Sequence, residues 1–435
     1  MRPPLVTRAT CGVPCTDNVF RIECRLSAEP PRIDLGTEHP LAAVATIMLK
    51  PTGEAEIVGI DGRVLRVNRP RMPGVWAVAS TVFDVATSTL RLVLHDDTEF
   101  VTEIGTAMSF VDRPVVYLDQ NHWIDLARAR VSSPKISGDR KSACERLIEL
   151  ARKREVILPL SGAHFVETAK RGGLQRADLA QTMIELSRGW QMRSPLRVRA
   201  HELKRMLELG NPTTSRWPDI DVFTLVPDAI WADHGHIALP RLDLGDLPDE
   251  VRGLTERVTW AVAFTELLLE TDSEFSPEGY KIATAWAKSF HDLAQHMRSN
   301  PKAKANARDL SRTRFITDMS KDIAQAALDN GLSPEQFGSW LADDAETALV
   351  TAPALGRIRE VIHMRLRNAD DKWEANDLND LLYLATAGAY AAVLVGEKKT
   401  CSYLSRVEGA VTPGGAVFHR MTDALPAIEL LIAQT

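Results

Sequence analysis

Apolar positions in the first 112 residues come in short bursts: "DNVFRIECRL" (17–26), "AVATIML" (43–49), "AEIVGI" (55–60), "RVLRV" (63–67), "GVWAVASTVF" (74–83) and "LRLVLHD" (90–96). They are rich in β-branched and aromatic residues and are separated by Pro, Gly, Asp and Asn, the grammar of short strands. The segments "PTGE" and Asp61-Gly62 read as hairpin turns. This predicts a β-rich N-terminal domain over 1–112, built as a sandwich or partly open barrel.

The pattern changes at Pro114. "PVVYLD" (114–119) is a short, continuously apolar run of the kind a buried parallel strand shows, and "QNHWIDLARAR" follows it with Trp123, Leu126 and Ala127 at helical spacing. A helix over 141–154, a second buried strand "EVILPL" (155–160) and a helix "GAHFVETAKR" come next, with Ser161 at the capping position and Gly172-Gly173 at the stop. That order predicts an α/β domain with parallel strands. From 174 to 355 the helical period dominates, and Pro-, Asp- and Gly-rich loops interrupt it over 211–250. The α/β order then returns with a helix "NDLNDLLYLATAGAY" (376–390), a strand "AAVLVG" (391–396), a strand "GAVFHR" (415–420) and a last helix near the end. The α/β domain is therefore expected in two parts, 113–173 and 356–435, split by an α-helical insertion at 174–355.

Composition narrows the class. The chain has 435 residues, 45% apolar and 25% charged, which excludes disordered and fibrous chains and suggests two or three domains at about 150 residues each. The longest apolar run, "LAAVATIML" (41–49), is about half of what a membrane span needs, and the start lacks the apolar core of a signal peptide. A cytoplasmic protein without a membrane partner is expected. Five cysteines do not suggest a disulfide framework. Cys11, Cys15 and Cys24 with His39 lack paired CxxC knuckles, so inert thiols are favoured over zinc. His234/His236 and His291/His296 have no acid at ligand spacing, and no phosphate-loop, dinucleotide or nucleophile-elbow motif occurs.

The chemistry lies in the acids. Asp119 ends the first parallel strand, Glu167 lies on the helix after the second, Asp377 and Asp380 share the start of another helix, and Glu397 follows the strand 391–396. Ligands of open α/β sheets bind at that edge. Carboxylates gathered there repel unless a divalent cation offsets the repulsion, and hard oxygen donors suit Mg2+ or Mn2+. Asn121 could orient a bound water or phosphate from outside the ligand set; Ser161 could do the same, although capping alone explains it. The alternative for Asp119, Asn376 or Asp377 is helix capping, and for Glu397 a turn beside Lys398 and Lys399. Arg152, Lys153 and Arg154, and Lys302, Lys304 and Arg308, are two basic clusters that could hold a nucleic-acid backbone or simply face solvent. Net charge is −6, so any such contact must be local.

"VVYLDQNHWIDLA", "LSGAHFVETAK" and "NDLNDLLYLATAGAYAAVLVGEKK" resemble, in this order, the opening, second and closing motifs of PIN-domain nucleases. The resemblance implies a PIN-like, three-layer parallel-sheet domain. It also implies Asp119, Glu167 and Asp380 as catalytic metal ligands, Asp377 and Glu397 as additional ones, and Mg2+ or Mn2+ as cofactor. RNA is the implied substrate, with single-stranded DNA the alternative, since the family includes toxin ribonucleases, and an inhibitor or antitoxin protein is a possible partner. Gly396-Glu397 departs from the Thr or Ser then Asp of many members. That departure favours the rival reading, a PIN-like binding or scaffold protein without chemistry.

Overall fold

The computed structural model describes residues 40–50, 53–68, 77–105, 111–171, 173–208, 216–230, 247–270, 278–368 and 370–434. The strand expected at 17–26, the cysteine set with His39 and the pair His234/His236 lie outside these residues.

Six strands, β1 (Val44–Leu49), β2 (Glu54–Gly59), β3 (Val64–Asn68), β4 (Val78–Asp84), β5 (Thr89–Leu94) and β6 (Glu99–Glu103), form one antiparallel sheet in the order β3-β2-β1-β4-β5-β6. Asp61-Gly62 makes the expected tight turn, with Gly62 at a φ of 80° that a side chain would strain. Alternation puts Ile47, Leu49, Leu90, Leu92 and Leu94 on one buried face. Neither a sandwich nor a barrel forms among the described residues. The apolar face of this open sheet is covered instead by the helices Gly173–Ser187 and Asp249–Leu269, whose Leu179, Ile184, Val258 and Val262 share its core.

The second sheet is parallel. Strand β7 (Val116–Leu118) pairs with β10 (Val393–Val395), and β10 pairs with β11 (Ala416–Phe418). On the other side β7 meets the extended segment 157–160 through a Val115–Ile157 bridge, and Leu160 bridges to β8 (Gln191–Met192). A short β9 (Phe223–Thr224) adds antiparallel to β8. The spatial order is thus β11-β10-β7-(157–160)-β8, and the chain leaves β7 toward one side and later returns to the other. Such a reversal opens a crevice at the C-terminal ends of the strands.

Side-chain alternation assigns the layers. Val116, Leu118, Leu158, Leu160, Val393 and Val395 enter one core with α1 (Gln120–Arg130), α2 (Gly138–Arg152), α3 (Gly162–Ala169), α4 (Gly173–Ser187), α6 (Asp249–Leu269) and α16 (Met421–Ile432). Val115, Tyr117, Ile157 and Leu394 enter another, with α5 (Pro195–Met206), α7 (Glu278–Ser299), α13 (Pro353–Arg367), α14 (Asn376–Tyr390) and α15 (Lys398–Val407). Between α7 and α13 run α8 (Pro301–Ala305), α9 (Ala307–Asp318), α10 (Ser320–Asp329), α11 (Pro334–Ser339) and α12 (Ala345–Thr351). A mixed α/β fold with an N-terminal antiparallel sheet was therefore legible. Past the expected boundary at 173/174, α4 packs in the first core and β8 bridges to Leu160.

No described helix is long and apolar enough to cross a membrane.

Candidate active site

Two strands and two helices of the α/β layers each bring an acid to the same edge. Asp119 follows β7 and caps α1, its Oδ1 accepting the Gln120 N–H at 2.8 Å. Its own N–H donates to the Val395 carbonyl at 2.9 Å, which fixes it beside β10. Glu397 follows β10 after Gly396 and caps α15, one oxygen accepting both the Thr400 N–H and its hydroxyl. Glu167 lies on α3 and Asp380 one turn into α14.

These four acids stand close enough for their charges to act on one another. Burial, followed by the charge of Glu397, pushes the Asp119 carboxyl up to about 6, against the pull of the Gln120 N–H. Burial and then Glu397, Asp119, Glu167 and Asp377 push Asp380 up to about 8. Glu167 is raised by burial and by Asp119, while Lys170 and Arg171 oppose the shift. Among the described residues none of the four is ion-paired with a Lys or Arg within 4 Å. As the side chains are placed, no three His, Cys, Asp or Glu among the described residues enclose an ion position.

Asp377 does not join this group. Its Oδ2 accepts from Arg365 Nη2 at 2.8 Å and from the Glu374 N–H at 2.6 Å, and its Oδ1 accepts from Lys399 Nζ at 3.0 Å. Burial alone would raise its pKa, but these donors outweigh it and hold the carboxyl below the usual range. Asp371 shares Arg365 and Lys399 and accepts from the Tyr403 hydroxyl, and Arg365 lies 4.0 Å from the Trp373 ring centre. Both Asp377 oxygens are spent on locking the start of α14 to α13 and α15. The expected ligand is a structural anchor.

The neighbours of Asp119 divide. Gln120 is buried and donates to Thr168 Oγ1 at 3.0 Å, Asn121 is exposed, and His122 lies near the Gly396 backbone, its pKa lowered chiefly by burial. Asp125, left aside in the sequence, pairs with Arg128 and Arg140. Ser161 is fully buried and faces inward: its hydroxyl meets the Tyr117 hydroxyl at 2.8 Å, and its N–H donates to His164 Nδ1 at 3.0 Å. His164 Nε2–H in turn donates to the Leu118 carbonyl at 2.8 Å, which fixes the tautomer, and burial brings its pKa down to about 4. This neutral histidine, which sequence reading passed over, braces the strand that ends in Asp119.

The two basic clusters differ in their surroundings. Arg152, Lys153 and Arg154 close α2 just before the segment 157–160, at the N-terminal edge of the sheet and opposite the acids. They pair with Glu185, Glu149 and Glu103. Arg308 is held by Glu360 through two bonds of 2.7 and 2.8 Å, whereas Lys302 and Lys304 are exposed on α8. The solvated and locally paired alternative describes most of them.

No protein-family model, curated protein or solved structure matches the chain.

Proposed function

We propose that the protein is a PIN-like, metal-dependent nuclease that hydrolyses phosphodiester bonds of single-stranded RNA. The observation that carries this reading is the meeting of Asp119, Glu167, Asp380 and Glu397, from four separate stretches of chain, at the crevice edge of the parallel sheet, with no salt bridge to any of them among the described residues. Structural acids are normally paired, as Asp377 and Asp125 are. Acids that stay together while burial and mutual repulsion lift their pKa values fit a site built for a cation.

The donor set is all oxygen, which suits Mg2+ or Mn2+. Asp119, Glu167 and Asp380 would hold the ion, with the remaining oxygen of Glu397 available beside them. What such an ion supplies when bound is Lewis acidity, which activates water as nucleophile and stabilises the departing oxygen. The protein's part is to fix the acids. Asp119 is locked by its cap and by β10, Asp380 by the Asp377 anchor one turn earlier, and Glu397 by Thr400.

The rival reading, a binding or scaffold protein without chemistry, has two observations in its favour: Glu397 spends an oxygen on its cap, and no three acids among the described residues are placed around an ion position. Incubation with labelled RNA and single-stranded DNA, with Mg2+, Mn2+ or EDTA, separates the two. The nuclease reading expects ion-dependent cleavage that Asp119→Asn and Asp380→Asn remove.

A further inference from the structure

Arg152, Lys153 and Arg154 lie at the opposite edge of the sheet and Arg308 is held by Glu360, which leaves open what would hold a polyanion beside the acids. The sheet register answers this. Leu118, Val395 and Phe418 are in register across β7, β10 and β11. The next residues continue the row: Asp119 N–H bonds to Val395, and Gly396 N–H bonds to Phe418 at 3.0 Å. Asp119, Gly396 and His419 therefore stand side by side at the C-terminal edge, and two strand spacings put His419 about 10 Å from Asp119. His122 lies near both the Gly396 backbone and His419. Arg420 follows His419, and Lys398 follows Glu397.

Three of the other cations near this edge are committed. Arg140 is held by Asp125, and Arg365 and Lys399 by Asp371 and Asp377. Lys170 and Arg171 stand on the Glu167 side. Lys398, His419 and Arg420 are exposed and make no ion pair among the described residues, although Glu397 lies one residue from Lys398 and one strand from His419. Exposed cationic side chains that form no ion pair suit a polyanion, and a phosphodiester strand presents charge at every residue along such a rim.

We propose that Lys398, His419 and Arg420 bind the phosphodiester backbone of the substrate strand on the β10–β11 side of the carboxylates. This rests on the nuclease reading and names the substrate contacts of that site. The test measures binding by fluorescence anisotropy of a short mixed-sequence RNA, and of the matching single-stranded DNA, against salt. The parent is the full chain carrying Asp380→Asn, so that hydrolysis does not interfere. Combining Lys398→Ala, His419→Ala and Arg420→Ala should weaken binding to both strands on the order of tenfold. It should also make the slope of log affinity against log salt shallower by about 1.4, the contribution of two phosphate contacts to a single strand. Arg152→Ala with Lys153→Ala, at the opposite edge, should leave both readings unchanged, and circular dichroism shows whether each variant is folded. A folded triple variant with the parent's affinity and slope overturns the proposal while the nuclease reading stands. A loss confined to RNA overturns the phosphate assignment, and a parent that retains neither strand overturns both.

Discussion

Asp377 and Asp380 lie three residues apart on one helix, and their replacement by asparagine should change stability in opposite directions. Asp380 goes from an ordinary 3.8 to about 8 in the folded chain. An acid whose pKa rises on folding binds more protons in the native state, so it lowers stability as pH climbs from about 4 toward 8. At pH 7 the gap between solution pH and the ordinary value is about 3 units, which at about 1.4 kcal/mol per unit costs up to about 4 kcal/mol. A neutral acid and an amide are buried at similar cost, so Asp380→Asn should recover much of this at pH 7 and about 1 kcal/mol at most at pH 4.5. Asp377 is shifted the other way by Arg365 and Lys399. Its contribution is present above about pH 4 and is lost as pH falls through its lowered folded value. Breaking that buried pair by Asp377→Asn should cost about 3–5 kcal/mol at pH 7. Urea unfolding in EDTA at pH 4.5, 6 and 7.5 measures both. A loss of stability in Asp380→Asn at pH 7.5, or a gain that does not grow with pH, would refute the assignment of Asp380 as a half-buried acid without an ion pair among the described residues.

Three further outcomes follow from the same geometry. Saturating Mg2+ or Mn2+ should stabilise the wild-type chain, by about 2.7 kcal/mol at a hundredfold excess over the dissociation constant, and should have much less effect on Asp380→Asn; thermal melts with and without EDTA report this. His164→Ala should weaken the support of β7 and cost about 2–4 kcal/mol, because it leaves the Ser161 N–H buried without its acceptor; urea unfolding at neutral pH measures the cost. Gly415→Ala would drive a Cβ into the Ala391 carbonyl oxygen, so β11 must shift, and both stability and RNA affinity should fall together because His419 directly follows β11.

The sequence carried the strands well, since "PVVYLD", "AAVLVG" and "GAVFHR" are short apolar runs whose ends are marked by polar residues, and all three became members of the parallel sheet. It placed Asp119 and Glu397 at strand ends for the same reason. What it could not show was pairing. Asp377 and Asp380 look alike in sequence, and only the arrival of Arg365 and Lys399 from α13 and α15 makes one an anchor and leaves the other bare. The two basic clusters were conspicuous as runs, yet a run at the C-terminus of α2 must lie at the N-terminal edge of the next strand, and that was deducible from α/β order. His419 and Arg420 stood in the quoted strand "GAVFHR", where the position after the last apolar residue was the available signal. The open N-terminal sheet escaped prediction because alternation along a strand does not say whether a second sheet or a pair of helices covers its buried face.

The central claim, that the acids at the sheet edge form a site for ion-dependent phosphodiester hydrolysis, is tested most directly by incubating the purified chain with labelled single-stranded RNA in Mg2+, Mn2+ or EDTA beside Asp119→Asn and Asp380→Asn. The account predicts cleavage by the wild-type chain with an ion, none in EDTA, and a loss of about a hundredfold or more in either variant. Intact RNA with both ions, or undiminished cleavage by folded Asp380→Asn, would contradict it.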